Sequence, residues 1–147
     1  MIGFIKRAVL SLMALFLVSL TASAEDSIWT SFKKLSFDWN PVMDAIIQVE
    51  SDGNPRAVSG NSVGVMQITP VLVKECNDIL KKQKSNKRYT LDDRYSVEKS
   101  KEMFLLIQKY FNPENNVEKA IRSWNGGMKY SVKATNKYYK KVLAKMN

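Results

Sequence analysis

From Asn40 to the C-terminus, apolar residues recur at three- and four-residue intervals, and no stretch of any length alternates apolar with polar. The first pattern belongs to the helix and the second to the strand, so this chain has to bury its apolar surface helix against helix. Asn40-Pro41 reads as a helix start, with Asn at the cap and Pro at the first position, followed by Val42, Ala45, Ile46 and Val49. Glu50 ends that helix and Gly53-Asn54-Pro55 stops it. Pro70 opens a second helix, with Leu72, Val73, Cys76, Ile79 and Leu80 on its apolar face. A polar, basic loop, Lys81 to Arg88, follows it. Ser96 caps a third helix that carries Val97, Met103, Phe104, Ile107 and Phe111. A shorter helix from Val117 to Trp124 is stopped by Gly126-Gly127, and a last one, Tyr130 to Lys145, carries Val132, Thr135, Tyr139, Val142 and Met146. The expected fold class is all-α.

The first 24 residues are set apart from this fold. Lys6 and Arg7 precede an apolar run, Ala8 to Leu20, interrupted only by Ser11 and Ser19, and Ala22-Ser23-Ala24 supplies a small-x-small cleavage site. These are the three parts of a secretory signal. The run falls short of the roughly 20 residues of a membrane span, so a cleaved leader is preferred to an uncleaved anchor. The expected organisation is a signal peptide over 1–24, an N-terminal arm over 25–39 anchored by Trp29, Phe32, Leu35 and Phe37, and a helical domain over 40–147. No stable membrane span is expected after cleavage, and the protein is expected to be secreted or periplasmic.

The whole chain carries a net charge of +9, and losing Lys6 and Arg7 with the leader still leaves it strongly basic. Such a surface suits an anionic partner: nucleic acid, anionic lipid or anionic cell wall. Export argues against nucleic acid. Cys76 is the only cysteine, so no intrachain disulfide forms, and its place on an apolar stripe makes it a small core residue. The chain has no histidine. That excludes a Ser-His-Asp or Cys-His site and any zinc site needing imidazole, and leaves mainly carboxylate chemistry. No metal or organic cofactor is indicated.

Three polar constellations lie at helix ends or in loops: Glu50 with Ser51 and Ser59; Gly64-Val65-Met66-Gln67; and Trp124-Asn125-Gly126-Gly127. A lone carboxylate that is partly buried, near the negative end of a helix dipole, holds its proton towards neutral pH, as a general acid must. The order of the pieces is more specific than any one. Glu-Ser-x-x-Asn-Pro-x-Ala-x-Ser, then Gly-x-Met-Gln-Ile-x-Pro, then an aromatic-Asn-x-Gly about sixty residues on resembles the lytic transglycosylase catalytic domain. The resemblance runs from Asn40 to about Leu143. It implies a lysozyme-like α-helical domain with a central groove, similar to goose-type lysozymes.

By that resemblance Glu50 is the catalytic acid and Ser59 the serine that contacts it. Met66 and Gln67 are the pair that lines the sugar groove, and Asn125 is the asparagine of the aromatic-Asn-Ala-Gly motif. Thr135 to Val142 resembles the C-terminal Thr-x-x-Tyr-Val-x-x-Val, which makes Tyr138 the tyrosine facing the glutamate. Tyr139 stands where valine is common, so either tyrosine could face the groove; the helical stripe places Tyr139 with the core. Other departures are a loop one residue shorter between Ser59 and Met66, Trp124 for the usual tyrosine and Gly126 for the usual alanine.

The implied reaction cuts the β-1,4 bond between N-acetylmuramic acid and N-acetylglucosamine in peptidoglycan glycan strands and leaves a 1,6-anhydro end. The substrate's N-acetyl group stands in for a second carboxylate. A hydrolysing muramidase is the rival enzyme and needs such a carboxylate, for which Asp52, Asp92 and Asp93 are the candidates. A non-catalytic wall-binding protein and a basic, membrane-active protein are the rivals from other classes. Small exported domains of this kind serve wall turnover, conjugation or secretion, or phage infection, so an envelope-spanning machinery is a further candidate partner.

Overall fold

Five α-helices and one minimal hairpin make up the regular structure of the computed structural model, which describes residues 37–146. The expected signal peptide and most of the expected arm lie outside the described residues. From Asp38 onward the chain is one compact unit. Helix α1 spans Asn40–Ser51. Its cap lies earlier than the sequence suggests: Asn40 is already helical, and the Asp38 carboxylate accepts from its backbone N–H at 3.0 Å and from its side chain at 2.9 Å. The helix ends where Asp52 takes a left-handed conformation (φ 53°), with Gly53 following at φ 80°.

Strands β1 (Val58–Ser59) and β2 (Ser62–Val63) pair antiparallel, Val58 opposite Val63 and Ser59 opposite Ser62. Strands of two residues leave no alternation to read, which is why the sequence pattern shows only a loop here. Helix α2 spans Pro70–Lys82, and the Thr69 hydroxyl accepts from the Leu72 N–H at 3.2 Å. A 3-10 turn at Asp92–Tyr95 leads into α3 (Val97–Phe111), capped by Ser96. Asn116 caps α4 (Val117–Gly126) and Ser131 caps α5 (Val132–Lys145).

Helix α5 packs on α4 and α1, and α2 packs on α3. The core they enclose centres on Phe104 and Met103 of α3, with Ile46, Met66, Cys76, Ile79, Ile121 and Val142 all fully buried around them. Burying each large apolar side chain contributes about 1.5–3 kcal/mol. An aromatic row runs through this core: Trp39 meets Phe104 edge-on at 5.6 Å, and Phe104 meets Trp124 at 5.2 Å. Val97 and Val132 are exposed, although they fall on apolar stripes. Each is the first residue of its helix, at the end of the packed stretch. Among the described residues no helix is long and apolar enough to cross a membrane.

Candidate active site

Glu50 sits in the last turn of α1, half-buried, where two walls meet. The first wall is the segment from Ala57 to Ile68, folded on itself by backbone hydrogen bonds. The Gly64 N–H donates to the Ala57 carbonyl at 2.9 Å, and Val63 and Ile68 exchange N–H to carbonyl bonds at 3.2 and 2.9 Å. Between them the chain turns through Gly64 (φ 78°) and Gln67 (φ 51°). Gln67 is a non-glycine residue in the left-handed region, a conformation that costs energy and tends to be kept at functional sites. Its side-chain amide nitrogen donates to the carbonyls of Gly64 (2.9 Å) and Ala57 (3.4 Å), which fixes the side chain. Ser51, next to Glu50, ties α1 to this wall by donating to the Val65 carbonyl at 2.8 Å. Gly64 lies directly on the 3-10 turn: a Cβ there would stand 1.9 Å from the Arg94 carbonyl oxygen.

The second wall is α4 with α5. Arg122 of α4 is buried, and its guanidinium makes an ion pair with Glu118 at 2.7 Å. It also donates to the Val132 carbonyl at 3.0 Å and the Thr135 hydroxyl at 3.1 Å, and lies 4.2 Å over the Tyr139 ring. These contacts set the rotation of α5, so that Tyr139 faces Arg122 and Tyr138 faces α1. The Tyr138 hydroxyl donates to Glu50 Oε1 at 2.7 Å. Buried Arg122 is one of the contacts that fix which tyrosine faces Glu50, and the Tyr138–Glu50 hydrogen bond is another. The importance of Arg122 is hidden in the sequence, where it reads as one more surface charge.

Two cavities meet at Glu50. One, of about 190 Å³, is lined by Glu50, Ser62, Gln67, Thr69, Trp124 and Asn125, among others. The other, of about 370 Å³, is lined by Val49, Glu50, Asn125, Lys137, Tyr138 and Lys141, among others. Glu50 and Asn125 belong to both. A third cavity, of about 380 Å³, shares Thr69, Leu72 and Trp124 with the first and adds apolar walls from Val71, Ile107, Phe111 and Met128. Burial pushes the Glu50 carboxyl above its ordinary value of 4.5, and the Tyr138 hydrogen bond, which favours the charged form, pulls it part of the way back. Tyr138 is itself pushed up, first by burial and then by the Glu50 charge, so it stays a donor. Glu50 is the only carboxylate lining the two cavities that meet there. Asp52 is an exposed helix cap, and Asp93 accepts from the Thr90 N–H in its own turn.

The structure brings together Glu50, Gln67, Asn125 and Tyr138. It does not bring Ser59 or the Met66 side chain to them. Ser59 is exposed on β1, and its cross-strand partner Ser62 lines the cavity instead. The two serines are cross-strand partners on either side of the turn at Gly60 and Asn61, and it is the β2 member that borders the cavity. Met66 is fully buried and belongs to the core; only its carbonyl reaches the site's frame, accepting from the Trp124 indole N–H at 3.2 Å. Trp124, the aromatic of the third constellation, also lines the cavity, although its helical stripe alone places it with the core. Cys76 is buried and its thiol is pushed up to about 12 by burial, so it carries no thiolate chemistry at ordinary pH. Among the described residues no group of three or more Cys, Asp or Glu side chains is placed to hold a metal ion.

No curated protein matches the chain. The profile of the Transglycosylase SLT domain matches residues 30–147, well over half of the chain. Together with the all-α fold, this shows that the chain belongs to the transglycosylase SLT family, the lytic-transglycosylase type of peptidoglycan-acting domain.

Proposed function

We infer that the protein cleaves the bond between N-acetylmuramic acid and N-acetylglucosamine without water, leaving 1,6-anhydro-muramic ends. The observation that carries this reading is one half-buried carboxylate, shifted towards its neutral form, at the meeting of two cavities lined by no other carboxylate. With Oε1 of Glu50 engaged by Tyr138, Oε2 is the oxygen that donates a proton to the glycosidic oxygen as the bond breaks. Positive charge develops at the anomeric carbon, and the substrate's own N-acetyl group stabilises it. Glu50, now ionised, takes the proton from the sugar's 6-hydroxyl, whose oxygen closes onto the anomeric carbon. The Tyr138 hydrogen bond holds the carboxylate during that second step. Asn125 and the amide oxygen of Gln67 hydrogen-bond sugar and acetamido groups. The serine role expected of Ser59 passes to Ser62, on the opposite strand. Met66 contributes through packing and through its carbonyl.

A peptidoglycan substrate and the leader read from residues 1–24 both support a periplasmic or secreted location. The test is mass spectrometry of fragments released from purified peptidoglycan. Anhydro ends are expected, and reducing ends would make the protein a hydrolase instead. Glu50→Gln keeps the shape of the side chain and removes the proton; it should lower kcat by about 10²- to 10⁴-fold. Unchanged wall-clearing activity in that variant would remove Glu50 from the chemistry.

A further inference from the structure

The cavity on the α5 side of Glu50 has two cations on its wall, Lys137 and Lys141. They stand one helical turn apart, so both ammonium groups rise from one face of α5. Ion pairs among the described residues engage Lys74, Lys87, Lys99, Lys101 and Arg122, but neither of these two. Like charges at this spacing repel, so the helix gains nothing from the pair. Neither lysine makes an ion pair with Glu50, whose shift comes from burial tempered by the Tyr138 hydrogen bond. Had either ammonium reached the carboxyl, it would have favoured ionisation and opposed the retention of the proton. The cavity therefore offers two unpaired positive charges beside an acid held towards neutrality, which is a place for an anion brought by the ligand.

The substrate of the proposed function carries such a group. Each muramic sugar bears a lactyl ether, and the stem peptide attached there ends in carboxylates. We propose that Lys137 and Lys141 bind a stem-peptide carboxylate and so make peptide-bearing strands the preferred substrate. This rests on the peptidoglycan reading of Glu50 and adds to it a recognition of the peptide.

The experiment compares three sets of glycan strands: peptide-bearing with free carboxylates, the same after conversion of the carboxylates to primary amides, and strands stripped of peptide so that only the lactyl carboxylate remains. The protein should show a KM roughly five- to tenfold lower on the first than on the second. Lys137→Gln/Lys141→Gln should abolish that difference with kcat little changed. Lys133→Gln/Lys145→Gln takes two charges from exposed positions of the same helix that do not line the cavity and should preserve the difference. Equal KM on free and amidated strands overturns the proposal. So does an equal loss in the Lys133/Lys145 variant, which would mean general charge attraction. A KM on stripped strands as low as on peptide-bearing ones assigns the anion to the lactyl group and overturns the peptide assignment. If the protein turns over none of the strands, the transglycosylase reading falls separately. Co-sedimentation of Glu50→Gln with the same strands, with and without Lys137→Gln/Lys141→Gln, then decides the carboxylate preference on binding alone.

Discussion

The two walls around Glu50 are built by opposite means. The wall from Ala57 to Ile68 is folded chiefly by its own backbone, Gly64 to Ala57 and Val63 to Ile68 and back with Gln67 in a left-handed turn, and the side chains of Gln67, Ser51 and Arg94 add bonds to its carbonyls. The wall from α4 and α5 is held by side chains: Arg122 on Glu118, Thr135 and Tyr139, and Tyr138 on Glu50. Backbone bonds are indifferent to side-chain identity but need particular dihedral angles, so the first wall depends on a few residues that can adopt them. Side-chain bonds tolerate ordinary helical backbone but need particular chemistry, so the second wall can be adjusted one group at a time. A site built this way has a fixed frame on one side and a tunable acid on the other.

The sharpest way to break the contrast is at Gly64. Alanine there would combine a φ of 78° with a Cβ 1.9 Å from the Arg94 carbonyl, a backbone atom that cannot swing aside. Arg94 is itself fastened, donating to the carbonyls of Leu91 (2.8 Å), Asn61 (3.2 Å) and Ile68 (3.3 Å). Gly64→Ala should cost about 3 kcal/mol or more in urea denaturation. Gly60 in the same hairpin also has positive φ (58°), but nothing lies within 4 Å of its Cβ position. Gly60→Ala should cost only about 1 kcal/mol, the conformational part alone. Equal losses at the two glycines would mean that strain in φ, not the seat on Arg94, holds the wall.

How much of this was legible in the sequence follows the same division. The helices were readable from their apolar stripes: Ser96 caps α3 as expected, whereas the Asn116 and Ser131 caps were not read, and α5 starts at Val132 rather than at Tyr130. Glu50, Gln67 and Asn125 were readable by their order along the chain, and the structure gathers them around shared cavities. The first wall was not readable in detail. Two-residue strands have no period, and which of Ser59 and Ser62 meets the cavity depends on where a tight turn falls. Met66 was misplaced for a related reason: a left-handed turn at Gln67 sends adjacent side chains apart, one to the core and one to the cavity. Arg122 was missed because burial of a charge can be recognised only when its partners, contributed by another helix, are known.

Tyr138→Phe probes the tunable side. The hydroxyl favours the charged form of Glu50, so its removal leaves burial unopposed and the carboxyl rises further above 4.5. The limb of activity that requires a protonated Glu50 should therefore move to higher pH, while kcat/KM falls about tenfold through loss of the contact that holds the carboxylate. Stability has the matching sign. A carboxyl whose folded-state value is raised contributes fully below 4.5, and the contribution is lost as pH rises through the raised value. The variant should lose more stability than the parent between acid and neutral pH, and Glu50→Gln should flatten that dependence. A pH–rate limb that stays in place when the phenol is removed would show that the 2.7 Å contact does not tune the acid.

The smallest effect expected is at Gly126, where the family pattern has alanine. Helix propensity favours the change by up to about 1 kcal/mol. The packing opposes it: an added Cβ would meet Thr135 Cγ2 at 2.7 Å and Tyr130 Cβ at 2.8 Å. Neither neighbour can easily give way. Thr135 is buried, and its hydroxyl both donates to the Ser131 carbonyl at 2.8 Å and accepts from Arg122 at 3.1 Å, which fixes its rotamer. The Tyr130 Cβ moves only with its backbone. Overpacking of this kind costs about 1–3 kcal/mol, so Gly126→Ala should come out destabilised by about 1 kcal/mol despite the gain in propensity. Thr135→Ser removes the methyl group that stands in the way, so the double variant should recover part of the loss, an interaction that a thermodynamic cycle measures directly. If Gly126→Ala is instead more stable than the parent, α4 and α5 can part slightly at this point, and the side-chain wall is looser than the contacts of Arg122 imply.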